Sequence, residues 1–161
     1  MKYLSTIILT VLLNNYVMGF ELKTEITINA TPNKVWKILT EFNKYESWNP
    51  FIKTLNGDVN VGEKIAVTMK PPNGKAMTFK PKVLTLTPNK EFSWLGHFLI
   101  PGIFDGHHKF TLIDNNNGTT TFIQSEEFHG ILIPLLKKKL NGDIRNSFIK
   151  MNEQLKRISE L

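Results

Sequence analysis

The end of the chain decides the fold, and residues 134–161 there read PLLKKKLNGDIRNSFIKMNEQLKRISEL. Apolar residues recur at intervals of three or four, which is the period of an amphipathic helix. Gly142 costs about 1 kcal/mol relative to alanine inside a helix, so we expect a bend there, with Asp143 as the candidate cap of the second part. The stretch predicts one long helix whose apolar stripe is formed by Leu136, Leu140, Ile144, Phe148, Met151, Leu155 and Ile158.

The segments before this helix predict strands and one short helical region. Residues 21–29, ELKTEITIN, alternate between two faces as a half-buried strand does. Thr31-Pro32 then starts a helix that runs to about Phe42, because threonine caps a helix and proline fits its first turn. Between Phe51 and Gly130 five or six further strand candidates are separated by turn signals. Short turns between consecutive strands imply antiparallel pairing.

These elements predict an α+β fold built on one core, since a chain of 161 residues has room for one ordinary domain. A curved antiparallel sheet exposes an apolar face, and the long C-terminal helix is the element that can cover it. We expect a sheet of about six or seven strands wrapped around that helix, with two short helices after the first strand. A twisted sheet diverges from a straight helix toward one end, so we expect a pocket at that end, closed by the two short helices.

The first nineteen residues predict an export signal. Lys2 supplies a positive charge, residues 4–13 are apolar and uncharged, and Val17-Met18-Gly19 offers small residues for cleavage. The apolar run is shorter than the ~20 residues that cross a bilayer. We expect cleavage after Gly19, an exported (periplasmic or secreted) protein and a single domain over residues 20–161. The alternatives are a membrane anchor formed by residues 4–13, and a cytoplasmic protein whose apolar extension packs on the domain.

Composition excludes several kinds of chemistry. The chain has no cysteine, which rules out disulfides, thiolate metal sites and a cysteine nucleophile. It contains no glycine-rich phosphate loop, G-x-S-x-G turn or H-E-x-x-H helix, and its four histidines fall on different faces or strands, so we expect no metal and no cofactor. The net charge of +6 comes from scattered lysines, which argues against a nucleic-acid partner. The run 137–139, KKK, is interpreted as a solvated helix face, with peripheral membrane contact as the alternative. The oligomeric state stays open.

The first strand and seven short motifs follow one another along the chain in an order typical of one protein superfamily. After the first strand they are Thr31-Pro32-x-x-Val35-Trp36, Trp48-Asn49-Pro50-Phe51, the pair Gly57 and Gly62, Phe92-x-Trp94-x-Gly96, Gly106-x-His108-x-Phe110, Thr121-x-x-Gln124-x-Glu126-x-Phe128-x-Gly130 and Phe148-x-x-Met151-Asn152-x-x-Leu155-Lys156. Over residues 21–161 this order resembles the START-like (SRPBCC, Bet v 1-like) superfamily, in its polyketide cyclase/dehydrase-type branch. The resemblance implies the helix-grip fold and a deep, mostly apolar cavity for lipids, sterols, polyketides or similar ligands. It implies a pocket rather than a reaction, because some members are cyclases or dehydratases and many have no known substrate.

Polar groups lie among aromatic residues on one face of a predicted hairpin. If the turn at residues 114–118 places Ile113 opposite Thr119, His108 pairs with Gln124, and Glu126 lies diagonally across from His108. A buried carboxylate must be paired or protonated, so we expect His108, Gln124 and Glu126 to form a hydrogen-bonded cluster. Three roles are open for this cluster: it could brace the sheet, orient the polar end of a ligand, or transfer a proton. Strand parity gives an inner face of His108, Phe110, Leu112, Phe122, Gln124, Glu126 and Phe128.

These patterns favour a non-catalytic binder of a small hydrophobic or amphipathic molecule, such as a lipid or a polyketide-like compound. The rival hypothesis is a cyclase or dehydratase-like enzyme in which His108 or Glu126 transfers a proton in a dry cavity. A third is an interaction module whose interior is filled by its own side chains. Core packing remains the alternative role of every aromatic candidate. The ligand-binding candidates are Trp48, Phe79, Trp94, His108, Phe110, Gln124, Glu126, Phe128, Phe148 and Met151.

Overall fold

The computed structural model describes residues 19–71 and 74–161. Nearly all of the predicted export signal therefore lies outside the described residues. The helical elements are α1 (Pro32–Thr40), a 3-10 turn (Phe42–Lys44), α2 (Tyr45–Trp48), α3 (Ile133–Lys139), a π turn (Leu140–Ile144) and α4 (Arg145–Ser159). The strands are β1 (Phe20–Ile28), β2 (Ile52–Asn56), β3 (Ala66–Met69), β4 (Met77–Phe79), β5 (Lys82–Thr87), β6 (Glu91–His97), β7 (Asp105–Asp114) and β8 (Thr120–His129).

The strands form two antiparallel sheets. The larger has the order β1-β8-β7-β6-β5, and the smaller has the order β2-β3-β4. Backbone hydrogen bonds join them where Gly62 N–H donates to the Val83 carbonyl and Val83 N–H donates to the Glu63 carbonyl, both at 2.9 Å. The predicted α+β helix-grip fold is confirmed. The described residues hold eight strands rather than six or seven, because residues 77–87 divide into β4 and β5 around Pro81, which has no N–H for a ladder.

The C-terminal helix is continuous from α3 to α4 but changes its winding on the way. The predicted bend at Gly142 is a π turn, in which the helix widens to accommodate one extra residue. Asp143 does not cap α4 with its side chain, which corrects the expectation. Its backbone carbonyl instead accepts a hydrogen bond from Ser147 Oγ at 2.8 Å. The two helical segments are thus joined without an exposed break.

The short helices after β1 cover the end of the molecule whose interior is filled by side chains, which we call the packed end. The Thr31 side chain caps α1 as predicted, accepting from Lys34 N–H at 3.5 Å. Behind α1, the Tyr45 hydroxyl donates to the Leu39 carbonyl at 2.6 Å, and burial raises the pKa of Tyr45 far above its usual range, so the phenol stays neutral. Phe42 of the adjoining 3-10 turn packs on Phe92 of β6 at 5.4 Å between ring centroids. The expectation that these helices close the pocket is therefore wrong, because they cover the solid part of the core.

The hairpin of β7 and β8 has a different register from the one expected. His108 lies directly opposite Glu126, and Asp114 opposite Thr120, so the pairing is shifted by two residues. The reason is that the turn lies one residue further along the chain, at residues 115–119 rather than 114–118; Asn115 N–H donates to the Thr119 carbonyl at 3.1 Å and Asn116 adopts a left-handed conformation with φ 57°. A shift of two preserves the alternation of faces. All seven residues assigned to the inner face are accordingly buried.

Candidate functional site

The inner face of the large sheet is organised in rows of residues that pair across strands. One row contains Phe92, Phe110 and Gln124, and the next row toward the cavity contains Trp94, His108 and Glu126. The third row is Gly96, Gly106 and Phe128, in which the two glycines face each other directly across β6 and β7. At the level of this row, β6 and β7 carry no side chain on the inner face of the sheet. This paired-glycine row makes room for a cavity.

The cavity has a volume of about 370 Å³ and lies over the paired-glycine row, between the sheet and the first part of the C-terminal helix. This volume falls within the range of roughly 300–1,000 Å³ that is usual for small-molecule sites. Its charged and polar lining includes the Glu126 carboxylate and the side chains of His97, Lys75, Lys139 and Asp143. The rest is predominantly apolar, with side chains from the small sheet, the large sheet and the helix: Phe51, Met69, Phe79, Trp94, Phe98, Phe104, Phe128, Leu136, Leu140 and Ile144.

The Glu126 carboxylate is the buried acidic group of the cavity wall. Its side chain is 12% exposed, and its Oε2 lies 3.3 Å from Nδ1 of His108. A Cβ atom placed on Gly106 would lie 2.5 Å from Oε1 of Glu126. Any side chain at position 106 would therefore push the carboxylate away from its present place. Glycine at this position keeps Glu126 beside His108.

His108 is fully buried beside the cavity and does not line it. Its ring stacks on Trp94 with 4.6 Å between centroids and 8° between planes, and Phe148 meets it edge-on at 5.1 Å. Its Nε2 lies 3.3 Å from Nε2 of Gln124. Where the Gln124 amide N–H donates to Nε2, Nδ1 carries the ring proton and donates to Glu126. The expected cluster is thus present, and Glu126 is the member that a ligand would meet.

The predicted site residues divide into two groups. Four of the ten candidates line the cavity: Phe79, Trp94, Glu126 and Phe128. The other six lie elsewhere: Trp48, His108, Phe110, Gln124, Phe148 and Met151. Trp48 packs on Tyr45 at 5.3 Å, near the packed end, and Phe148 and Met151 are fully buried. The helix diverges from the sheet at its N-terminal end, so the first half of its apolar stripe faces the cavity and the second half fills the core.

Several cavity residues were absent from the sequence-based candidates. Gly96 and Gly106 lie inside strands, where a glycine signals a close approach or missing side-chain volume, so their positions carried a usable signal. Phe51 is held at the cavity by Asn49, whose buried Oδ1 accepts from the backbone N–H groups of Phe51 and Ile52, both at 2.9 Å. The dipeptide Asn49-Pro50 is a local signal for such a turn, but it does not report that Phe51 reaches the cavity. Met69 and Phe104 reach the cavity through tertiary packing alone.

Two further properties of the described residues bear on function. Residues 19–71 and 74–161 contain no group of three or more His, Cys, Asp or Glu side chains placed to hold a metal ion. None of the helices in these ranges combines the length and the apolarity that a membrane crossing requires.

Comparison with known proteins identifies a matching family. The family model described as polyketide cyclase/dehydrase and lipid transport matches residues 19–158. No curated protein matches the chain.

Several solved structures are similar to the fold. The Zhui aromatase/cyclase from Streptomyces sp. R1128 aligns with a TM-score of 0.74 at 11% identity, over 89% of this chain and 94% of that one. A norcoclaurine synthase from Thalictrum flavum aligns with a TM-score of 0.68 at 12% identity, over 88% of this chain and 94% of that one. Protein CV1439 from Chromobacterium violaceum aligns with a TM-score of 0.65 at 20% identity, over 88% of this chain and 97% of that one. At these identities the likeness concerns the fold.

Proposed function

The chain belongs to the polyketide cyclase/dehydrase and lipid transport family, and on that premise we propose that its cavity binds a small hydrophobic or amphipathic molecule without transforming it. The observation that carries this proposal is the cavity of about 370 Å³, whose largely apolar wall is interrupted by the Glu126 carboxylate. An apolar wall favours a ligand body without charge. A carboxylate accepts hydrogen bonds, so a hydroxyl or ammonium group on the ligand is expected to lie against Glu126.

Apolar burial supplies the larger part of the free energy of such a complex. A ligand that buries roughly 300 Å² of apolar surface gains on the order of 7 kcal/mol before the costs of association. A micromolar complex needs about 8 kcal/mol net, so apolar burial alone falls short. A charge-assisted hydrogen bond to Glu126 contributes about 1.5–3 kcal/mol more. The polar contact therefore decides whether binding is specific as well as tight.

We expect protein purified from its own host to carry a stoichiometric small molecule. Native mass spectrometry measures the mass added to the folded protein, and solvent extraction followed by mass spectrometry identifies the compound. Heat-denatured protein that has been gel-filtered provides the control for loosely adsorbed lipid. Repeated recovery of empty protein that also binds no added fatty alcohol or fatty amine would contradict the proposal.

A second candidate function is proton transfer by Glu126, and the observation that favours it is the contact between this carboxylate and His108. His108 does not line the cavity, so in this alternative it is a positioning residue that fixes the orientation of Glu126. The carboxylate would then act on an enolisable or hydroxylated ligand.

Glu126→Gln separates the two functions. For a binder we expect about tenfold weaker affinity for the extracted ligand, since a hydrogen bond to a charged acceptor is replaced by one to a neutral amide. Isothermal titration calorimetry measures this change, and Glu127→Gln on the outer face of β8 is the matched control. Mass spectrometry of the ligand after incubation is the second measurement. If the wild type removes water from the ligand and Glu126→Gln does not, the enzyme alternative replaces the binder.

A further inference from the structure

An apolar patch lies at the end of the molecule where the cavity is found. It consists of two neighbouring segments, the connection from β6 to β7 and the start of α3. The segments touch through backbone hydrogen bonds, from Ile131 N–H to the Gly102 carbonyl at 3.1 Å and from Leu132 N–H to the Ile103 carbonyl at 3.2 Å. The exposed large side chains of this patch, from 46% to 80% accessible, are Phe98, Leu99, Ile100, Ile131 and Leu135.

The backbone holds the two segments of the patch together closely. Gly130 has φ 129°, a conformation that side chains disfavour, and a Cβ atom there would clash with the carbonyl oxygen of Ile103. The contact is therefore built into the chain by a glycine. The two exposed segments are therefore fixed neighbours in the fold.

Leu99 is the most unusual residue of the patch. It has φ 67°, a left-handed conformation that costs free energy for a branched side chain and is normally occupied by glycine or asparagine. Its side chain is 76% exposed, so packing within the domain returns little of that cost. An apolar side chain held in a strained conformation and turned to solvent points to a partner outside the domain.

Lysines of α3 lie beside the patch. Lys138 and Lys139 follow Leu135 at intervals of three and four in α3, so they share its side of the helix. Lys75 and Lys139 also line the cavity. Of the acidic groups at this end, Asp105 is paired with His97 at 2.7 Å and accepts from Gly102 N–H at 2.9 Å, Asp143 and Glu126 lie in the cavity wall, and Glu21 and Glu127 lie opposite each other on the outer face of β1 and β8. An apolar surface bordered by lysines is complementary to an anionic lipid bilayer.

The patch and the cavity share residues. Phe98 belongs to both, and Leu132, which follows Ile131 of the patch, also lines the cavity. The chain enters the fold at the same end, where the Phe20 ring stacks on cavity residue Phe128 at 6.1 Å and lies 5.5 Å from Nζ of Lys137. If residues 4–13 are retained as an anchor, they would tether this same end to a membrane.

We propose that the patch docks the cavity-bearing end of the molecule onto an anionic membrane surface. Phe98, Leu99, Ile100, Ile131 and Leu135 enter the interfacial region, and the neighbouring lysines bind lipid phosphates. A ligand then passes between bilayer and cavity without crossing bulk water. Docking itself is independent of the proposed ligand binding, and only the transfer step rests on it.

The test is co-sedimentation of the full chain with vesicles made of equal parts phosphatidylcholine and phosphatidylglycerol. We expect the double variant Leu99→Asn/Ile100→Ser to bind these vesicles at least tenfold more weakly, and asparagine suits the left-handed backbone at position 99. The matched control is Ile113→Ser/Leu161→Ser, which removes two exposed apolar residues elsewhere. Ile113 lies about 27 Å along β7 from Asp105, at the other end of that strand. Residues 1–19 are the same in all chains, so a difference in vesicle binding between the chains comes from the substituted positions.

A lysine variant tests the electrostatic part. Lys138→Gln is expected to weaken binding about fivefold on the anionic vesicles and to change nothing on pure phosphatidylcholine. Equal vesicle binding by the wild type and the Leu99→Asn/Ile100→Ser variant would overturn the proposal. It would also be overturned if light scattering showed a wild-type dimer that the same variant dissolves, since a second copy would then cover the patch. Native mass spectrometry should show equal ligand occupancy in the wild type and all these variants. If the wild type carries no ligand, that result counts against the proposed ligand binding and not against docking.

Discussion

Gly96→Leu is expected to reduce ligand affinity at least a hundredfold while leaving the protein as stable as the wild type or more stable. Gly96 belongs to the paired-glycine row beneath the cavity, and a Cβ atom there meets only Pro81 Cβ, at 3.5 Å. The leucine side chain would therefore extend into the space that the ligand is proposed to occupy. No existing contact is broken, and a strand glycine is replaced by a residue that buries apolar surface.

Native mass spectrometry of ligand occupancy and calorimetric titration measure the loss, and thermal unfolding measures stability. The control is Gly142→Leu, because a Cβ atom at Gly142 meets nothing within 4 Å and the residue is exposed. That variant adds the same side chain outside the cavity. Full occupancy in a folded Gly96→Leu protein would place the ligand somewhere other than over the paired-glycine row.

Phe110→Ala is expected to do the opposite of Gly96→Leu: it should lower the stability of the protein and leave its ligand affinity unchanged. The Phe110 ring is fully buried and packs on Phe92, Trp94, His108 and Phe122, with centroid distances from 4.7 to 6.3 Å. Truncation leaves a void in the aromatic part of the core that the rigid sheet cannot close. The expected cost is about 3–5 kcal/mol of unfolding free energy, or a Tm lower by roughly 10–15 °C.

Urea unfolding followed by circular dichroism measures this cost. Phe98→Ala is the control, because Phe98 is 46% exposed and its truncation should cost about 1 kcal/mol or less. Since Phe110 does not line the cavity, the folded fraction of Phe110→Ala should bind ligand with wild-type affinity. If the unfolding free energy falls by less than about 1 kcal/mol, the aromatic core repacks around the missing ring. The filled core and the cavity would then not be separate parts of the interior.

The sequence was sufficient to predict the faces of the strands but not their pairing. Alternation along β7 and β8 assigns His108 and Glu126 to the interior, and alternation survives any shift by an even number of residues. The register depends on the turn, where the side chain of Asn115 bonds to Thr119 and Thr121. Such side-chain bonds select the loop conformation and are not visible in a hydrophobic pattern.

The position of the cavity was harder to predict for a similar reason. Periodicity marks Leu136 and Phe148 alike as members of one apolar stripe, because both repeat with the same helical spacing. Only the divergence of helix and sheet decides that Leu136 lines the cavity and Phe148 lies in the core. The volume itself arises at Gly96 and Gly106, where the relevant fact is an absent side chain. Candidate lists built from large aromatic residues overlook such positions.

The π turn at residues 140–144 separates two parts of the helix that have different tasks. Each residue of an α-helix adds about 100° of rotation and a π turn holds one residue more than an α turn, so regular winding of the same residues would rotate α3 by about that angle relative to α4. Leu136 and Lys139 would then leave the cavity wall, and other α3 side chains would take their places. Phe148 and Leu155 would remain packed against the sheet. A substitution that removes the π turn without deleting a residue would in this way change what the protein recognises and spare the part of the helix that keeps it folded.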